Sequence, residues 1–224
     1  MRVSVIVCTR NEENYIENCL RQLKNQTIKP EIIVVDAHSK DKTVEIAKKY
    51  ADKILYDNKS GISDARNIGW RNAKGEIVAY CDADCLPKKD WIEKLTRFMN
   101  GNSAISGPLF PYDGNLWNKI NFKIWAVFFP EFLSILGFNF LWGSNMAFKK
   151  KILKRHPFEA KFLEDYDMAR KIRKVAKIKF DRRLRMPQSY RRFRNGFLKI
   201  SFEYYIVNFI KIHFLKNRRI KGYY

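Results

Sequence analysis

At 224 residues, 46% of them apolar, the chain is long enough for one α/β domain with a short appendage and too apolar for wholesale disorder. Its formal charge is +21, from 44 Lys and Arg against 23 Asp and Glu, and a field of that sign attracts nucleic acid, anionic lipid or phosphorylated substrates. The opening apolar run, Val3 to Val7, is too short for a signal peptide, so the expected compartment is cytoplasmic, with Cys8, Cys19, Cys81 and Cys85 as reduced, buried thiols.

The predicted elements alternate through the first half. Val3 to Cys8 is a β-branched run of the kind covered on both faces of a sheet. Asn11 can cap a helix carrying Ile16, Cys19, Leu20 and Leu23 at helical spacing. Glu31 to Val35 is a second strand, and Asp41 can cap a helix through Val44, Ala47 and Tyr50. Lys53 to Tyr56 is a third strand, Gly61 opens a helix through Ala65 and Ile68, and Glu76 to Cys81 is a fourth strand. Asp90 can cap a helix through Trp91, Leu95 and Phe98, and Ala104 to Leu109 is a fifth strand. This alternation predicts a doubly wound, mainly parallel sheet with helices on both faces. Ligands of such sheets bind at the C-terminal strand ends. Polar clusters stand there: Thr9-Arg10-Asn11-Glu12 after strand one, Asp36 after strand two, and Asp82-Ala83-Asp84 after strand four.

The second half differs in character. Residues 117–142 read as an apolar helical insertion; Ile124 to Trp142 has one charge, Glu131, interrupted by Pro130 and Gly137. Those residues favour an interfacial or core-packed helical pair over a clean membrane span. Asn145 to Phe148 is a returning strand, and Tyr166 to Val175 a helix with an acidic start. Basic residues concentrate from Lys149 onward, notably Lys149-Lys150-Lys151, Arg182-Arg183, Arg191-Arg192 and Arg218-Arg219. Phe193 to Leu215 mixes aromatics with Lys and Arg, as a helix on a lipid surface does, or one docked on the core. Residues 1–195 are taken as one domain and 196–224 as an amphipathic basic helix or tail.

Two carboxylates two residues apart at a strand end, Asp82 and Asp84, can hold a hard divalent cation that neutralises a diphosphate. Alone, the same residues also fit a capped turn before Pro87. The wider sequence resembles family 2 glycosyltransferases. Val3 to Glu12 is similar to the opening of that family, and Val34-Val35-Asp36-Ala37-His38-Ser39-Lys40-Asp41-Lys42-Thr43 to its second-strand nucleotide segment. Ala65-Arg66-Asn67-Ile68-Gly69 and Ala73-Lys74-Gly75-Glu76 resemble the stretch before its metal motif, and Tyr80 to Asp84 the motif itself. Gly143-Ser144-Asn145-Met146-Ala147 and Leu163-Glu164-Asp165-Tyr166-Asp167 resemble its acceptor-side strand and catalytic-base segment, all in family order over residues 3–195.

The resemblance implies a GT-A fold and an inverting, single-displacement transfer of sugar from a UDP- or GDP-linked donor, assisted by Mg2+ or Mn2+. It places Thr9, Arg10, Glu12, Asp36, Arg66 and Asp82 at the nucleotide, Asp84 with Asp82 at the metal, and Asp165 as general base with Glu164 beside it. Asn145, Arg191 and Arg192 are candidates for the diphosphate or acceptor side. The basic, aromatic second half suits a polyprenyl-phosphate or lipid-linked glycan acceptor at the anionic inner face of a membrane. Nucleic acid is not the expected partner, since Tyr190 to Phe193 offers only a fragment of a stacking basic stripe. A sugar-phosphate nucleotidyltransferase is the alternative enzyme, but the loop after strand one has no glycine. Ala37 stands where many relatives carry a second acid, and no Gln-x-x-Arg-Trp segment of processive polymerases is present.

Overall fold

A computed structural model describes residues 1–124, 128, 141–160 and 163–193, with only the backbone of Arg192 and Phe193. Most of the apolar insertion and the expected helix from Phe193 to Leu215 lie outside the described residues.

Nine strands are described: β1 (Val3–Thr9), β2 (Glu31–Asp36), β3 (Lys53–Tyr56), β4 (Ile77–Tyr80), β5 (Ala104–Ser106), β6 (Leu109–Pro111), β7 (Met146–Lys149), β8 (Ile178–Phe180) and β9 (Met186–Gln188). The helices are α1 (Ile16–Lys24), α2 (Thr43–Lys48), α3 (Ile62–Asn72), α4 (Trp91–Phe98), α5 (Leu116–Lys123), α6 (Lys150–Arg155) and α7 (Glu164–Ile172), and a 3-10 turn spans Tyr190–Phe193. Seven strands form one sheet in the order β3-β2-β1-β4-β7-β5-β8, and β6 pairs with β9 apart from it. β1 runs parallel to β2 and β4, and β2 to β3, while β7 is antiparallel to β4 and β5.

Period-two alternation divides β1 between two cores. Val3, Val5 and Val7 face the layer of α1 and α4, with Leu20, Leu23, Trp91 and Leu95. Ile6 faces the layer of α3, α6 and α7, with Ala65, Leu153 and Met168. α3 lies close because Gly69 has no side chain: a Cβ there falls 2.4 Å from Ile6 Cγ2. The chain builds β1, β2 and β3 to one side, then crosses to β4 on the other. The crevice between those halves, at the C-terminal ends of β1, β2 and β4, is the switch point where doubly wound sheets hold ligands.

Several boundaries differ from expectation. The run Ala104 to Leu109 is split at Gly107–Pro108 into β5 and β6. At Gly107 a Cβ would meet Leu184 O at 2.1 Å, so the close approach of backbone breaks the strand. Asn11 does not cap α1, which starts at Ile16 with no side-chain cap. Instead Asn11 takes a left-handed φ of 54° and its Oδ1 accepts from Lys40 N at 2.8 Å, lacing the loop after β1 to the loop after β2. Asp90 sits at the N-cap of α4 without a capping bond and pairs with Lys94 at 2.7 Å. Asp41 does serve its helix from one position upstream, accepting from Thr43 N at 3.0 Å. The acidic helix begins two residues earlier than expected, so Glu164 and Asp165 both fall in its first turn. Among the described residues no helix is long and apolar enough to cross a membrane.

Candidate active site

Three loops meet at the crevice. The first two are laced together by backbone N–H groups: Glu12 N donates to Thr43 Oγ1 at 2.7 Å and Asn11 N to Ser39 Oγ at 2.8 Å. Thr9 ends β1, opposite Asp36 in the β1–β2 register. Asp36 is fully buried, and its carboxylate takes Ser39 N at 2.8 Å and Ser39 Oγ at 2.5 Å, so it shapes the loop after β2 from within. Arg10 is exposed beside it. Two buried oxygens here, Thr9 Oγ1 and Glu12 Oε2, have no hydrogen-bond partner among the described residues. Buried polar atoms are seldom left so.

The third loop, Asp82 to Leu86, follows β4. It is held from below by thiols, Cys19 Sγ lying 3.4 Å and Cys81 Sγ 3.5 Å from Asp82 O. It is held from the side by β9: Leu86 N donates to Pro187 O at 2.8 Å and Ser189 N to Asp84 O at 3.1 Å. Gln188 Nε2 donates to Asp84 Oδ1 at 3.1 Å and reaches Asp82 Oδ2 at 3.4 Å. That zipper delivers Arg191, two residues past Ser189, onto the acidic pair. Arg191 Nε donates to Asp84 Oδ2 at 2.9 Å, its Nη2 donates to Glu12 Oε1 at 2.5 Å, and its guanidinium lies 4.3 Å from the centre of the Tyr15 ring. Burial works against the Arg191 charge, but the bonds to Glu12 and Asp84 outweigh it and hold the guanidinium above its usual range. Burial raises the Glu12 carboxyl despite the Arg191 bond.

Across the crevice stands the start of α7. Asp165 Oδ2 accepts from Gly143 N at 3.1 Å, and its Oδ1 from Tyr166 N at 2.8 Å. Burial, then the neighbouring charge of Glu164, pushes the Asp165 carboxyl up to about 7. Glu164 pairs with the buried Arg66, which lies 5.7 Å from the Tyr80 ring centre and 5.6 Å from that of Phe158. Arg66 thus stands with the second acidic pair, beneath Gly143, where a Cβ would fall 2.4 Å from its Nη2.

The turn Gly143–Ser144 joins the two sides. Gly143 holds Asp165, and Ser144 Oγ donates to Gln188 Oε1 at 3.2 Å, whose amide nitrogen holds Asp84. Asn145 is buried behind this turn. Its Nδ2 donates to Leu184 O at 2.7 Å and its Oδ1 accepts from Trp91 Nε1 at 3.0 Å, so both ends of the amide are engaged inside the fold. Its job is to brace the turn. For Arg192 only the backbone is described, within the 3-10 turn.

Sequence reading missed Gln188, Ser144, Tyr15 and Asp113. Asp113 accepts from Ser189 Oγ at 2.8 Å and Tyr190 N at 2.5 Å, fixing the segment that carries Arg191. No local spacing marks these residues; Gln188 and Asp113 are brought together because β6 pairs with β9.

A divalent ion of the Mg2+ or Mn2+ kind takes hard oxygen donors, often only one or two carboxylates, completed by substrate phosphates and water. Asp82 and Asp84 supply that kind of donor next to the orphaned Thr9 and Glu12 oxygens, so the residues fit the group. Among the described residues no cluster of three or more His, Cys, Asp or Glu forms a self-sufficient cage.

Comparison with known proteins identifies the family and the fold. Residues 4–157 match the profile described as Glycosyl transferase family 2. An uncharacterized glycosyltransferase of Methanocaldococcus jannaschii is 33% identical over 190 residues, 74% of this chain and 62% of that protein. Glycosyltransferase AglE of Haloferax volcanii is 37% identical over 114 residues, 47% of this chain and 36% of that protein. Mannosyltransferase PcManGT from Pyrobaculum calidifontis, solved in complex with GDP-Man and Mn2+, shares the fold with a TM-score of 0.72 at 22% identity, covering 98% of this chain and 66% of that one. The chain thus spans about a third of AglE and under two thirds of the Methanocaldococcus protein.

Proposed function

The chain belongs to glycosyl transferase family 2 and has the GT-A fold, and from that premise we propose that it moves a sugar from a UDP- or GDP-linked donor to an acceptor by metal-assisted single displacement with inversion. The observation that carries the reading is the pairing of two acidic sites, Asp82/Asp84 and Asp165, through one turn, Gly143–Ser144. Displacement needs this division. Negative charge grows on the departing diphosphate at one side of the sugar, and a proton leaves the acceptor hydroxyl at the other.

On the donor side, Thr9 and Glu12 contribute the unpaired oxygens that meet the nucleotide. Asp84 with Asp82 would hold Mg2+ or Mn2+, which would stabilise the charge of the diphosphate leaving group. Arg191 already bridges Asp84 and Glu12, and its fork of N–H donors suits phosphate oxygens as well as carboxylates. On the acceptor side, Asp165 takes the hydroxyl proton as the new glycosidic bond forms and the bond to the phosphate oxygen breaks. A carboxyl raised to about 7 is matched to that task near neutral pH. Glu164, in the same first turn, is held by its ion pair with the buried Arg66. The acceptor in this reading is a polyprenyl-phosphate or lipid-linked glycan at the inner face of a membrane, supported by the charge of +21 and its basic second half.

The test is release of nucleoside diphosphate from a panel of UDP- and GDP-sugars, with Mn2+ and with EDTA. The reading expects metal-dependent release from one donor class. No release from any donor, together with pyrophosphate release from a nucleoside triphosphate and a sugar phosphate, would replace it with nucleotidyl transfer.

A further inference from the structure

Helix α5, Leu116–Lys123, is amphipathic in the inverse sense. Its one buried residue is Phe122, whose ring lies 6.2 Å from that of Tyr190. At roughly 100° per residue, Leu116, Trp117 and Ile120 fall on the opposite arc. A surface helix normally turns polar residues there. Here Leu116 is 75% exposed, Trp117 69% and Ile120 43%, and Ile124 just beyond is 48% exposed. Lys119 and Lys123 are exposed on one flank, and the stretch 116–124 contains no acidic residue. Single exposed apolar side chains need no explanation, but four grouped on one short helix mark an interaction surface.

We propose that the outward arc of α5 is a docking face for an anionic lipid bilayer. A bulky Trp–Leu–Ile arc edged by lysines matches both layers of such a surface, the acyl boundary and the phosphate headgroups. Charge complementarity favours lipid over a second copy of this chain, which would bring lysine against lysine at a net charge of +21 per copy. The placement also serves the site. Phe122 packs on Tyr190, and the next residue is Arg191, bonded to Asp84, so a lipid-held acceptor is presented beside the donor pocket. The inference rests on the transfer reading for its purpose, but it is measured without donor or acceptor and fails separately from it.

The experiment is co-sedimentation of the full chain with vesicles of phosphatidylcholine, alone or with phosphatidylglycerol, alongside light scattering without lipid. Wild type should bind the phosphatidylglycerol vesicles and prefer them over neutral ones. Leu116→Glu with Trp117→Glu should weaken binding by about tenfold or more, and Lys119→Glu with Lys123→Glu should reduce the preference for anionic lipid. Because these side chains are exposed, both double variants should melt like wild type, and the milder Leu116→Ala/Trp117→Ala pair should give an intermediate loss. Vesicle binding equal to wild type in the Glu pair would overturn the proposal, as would absence of binding by wild type. So would a wild-type dimer that the Glu pair dissociates without changing vesicle binding, which would assign the face to a second copy.

Discussion

Asp165 and Asp84 are both carboxylates, yet their partners give them different work. Asp84 receives a guanidinium and an amide, while Asp165 receives two backbone N–H groups beside a like charge. Asp165→Asn should lower turnover by about 10²–10⁴-fold, the usual worth of a positioned base. Wild-type turnover should rise with pH through about 7, as the base form accumulates. Stability runs the other way. The folded state holds the Asp165 proton more tightly than the unfolded chain, so its contribution is present below the ordinary value of 3.8 and lost as pH rises to about 7. Melting curves at pH 5 and pH 8 should show Asp165→Asn gaining on wild type at the higher pH. At Arg191, lysine is not equivalent, because one ammonium cannot fork between Asp84 and Glu12. Arg191→Lys should therefore weaken donor binding nearly as much as Arg191→Ala, read by calorimetric titration with the donor. Asp82 and Asp84 were legible because they follow a strand end, and Asp165 because it falls in an ordered set of family segments. Gln188 and Tyr15 were not, since each acts through a contact across the fold that no spacing encodes.

Among the elements, long β-branched runs announced themselves. Val3–Thr9 and Glu31–Asp36 are buried almost throughout, and only a two-sided sheet accepts such runs. The three-residue strands β6, β8 and β9 carry no periodicity to detect, and they form because longer-range pairing imposes them. The break between β5 and β6 follows from one backbone approach, Gly107 against Leu184. The Gly143–Ser144 turn is the element the site depends on most, and its glycine has a steric reason. Gly143→Ala drives a Cβ toward the Arg66 guanidinium, which is buried and paired with Glu164 and so cannot swing aside freely. The expected cost is about 1–3 kcal/mol of stability, measured by urea unfolding, with turnover reduced alongside. If Gly143→Ala unfolds at the wild-type urea midpoint, the packing of Arg66 under that turn is not as described.

For the molecule as a whole, the doubly wound architecture was readable from alternation, and the crevice position followed from the switch point between β1 and β4. The excess positive charge was readable in amount, sign and concentration from Lys149 onward, but the pairing of Arg191 with Glu12 and Asp84 needed the fold. The whole account rests on the donor and acceptor sides being separable functions of a single crevice. The most direct measurement is a paired one on Asp84→Asn and Asp165→Asn: thermal stabilisation by a nucleotide-sugar with Mn2+, and release of nucleoside diphosphate, on the same preparations. Ligand binding to the folded state raises the melting temperature by mass action. The account predicts that Asp84→Asn loses both the metal-dependent stabilisation and turnover, whereas Asp165→Asn keeps the stabilisation and loses turnover. Turnover retained in both variants, or donor stabilisation lost in Asp165→Asn and kept in Asp84→Asn, would contradict it.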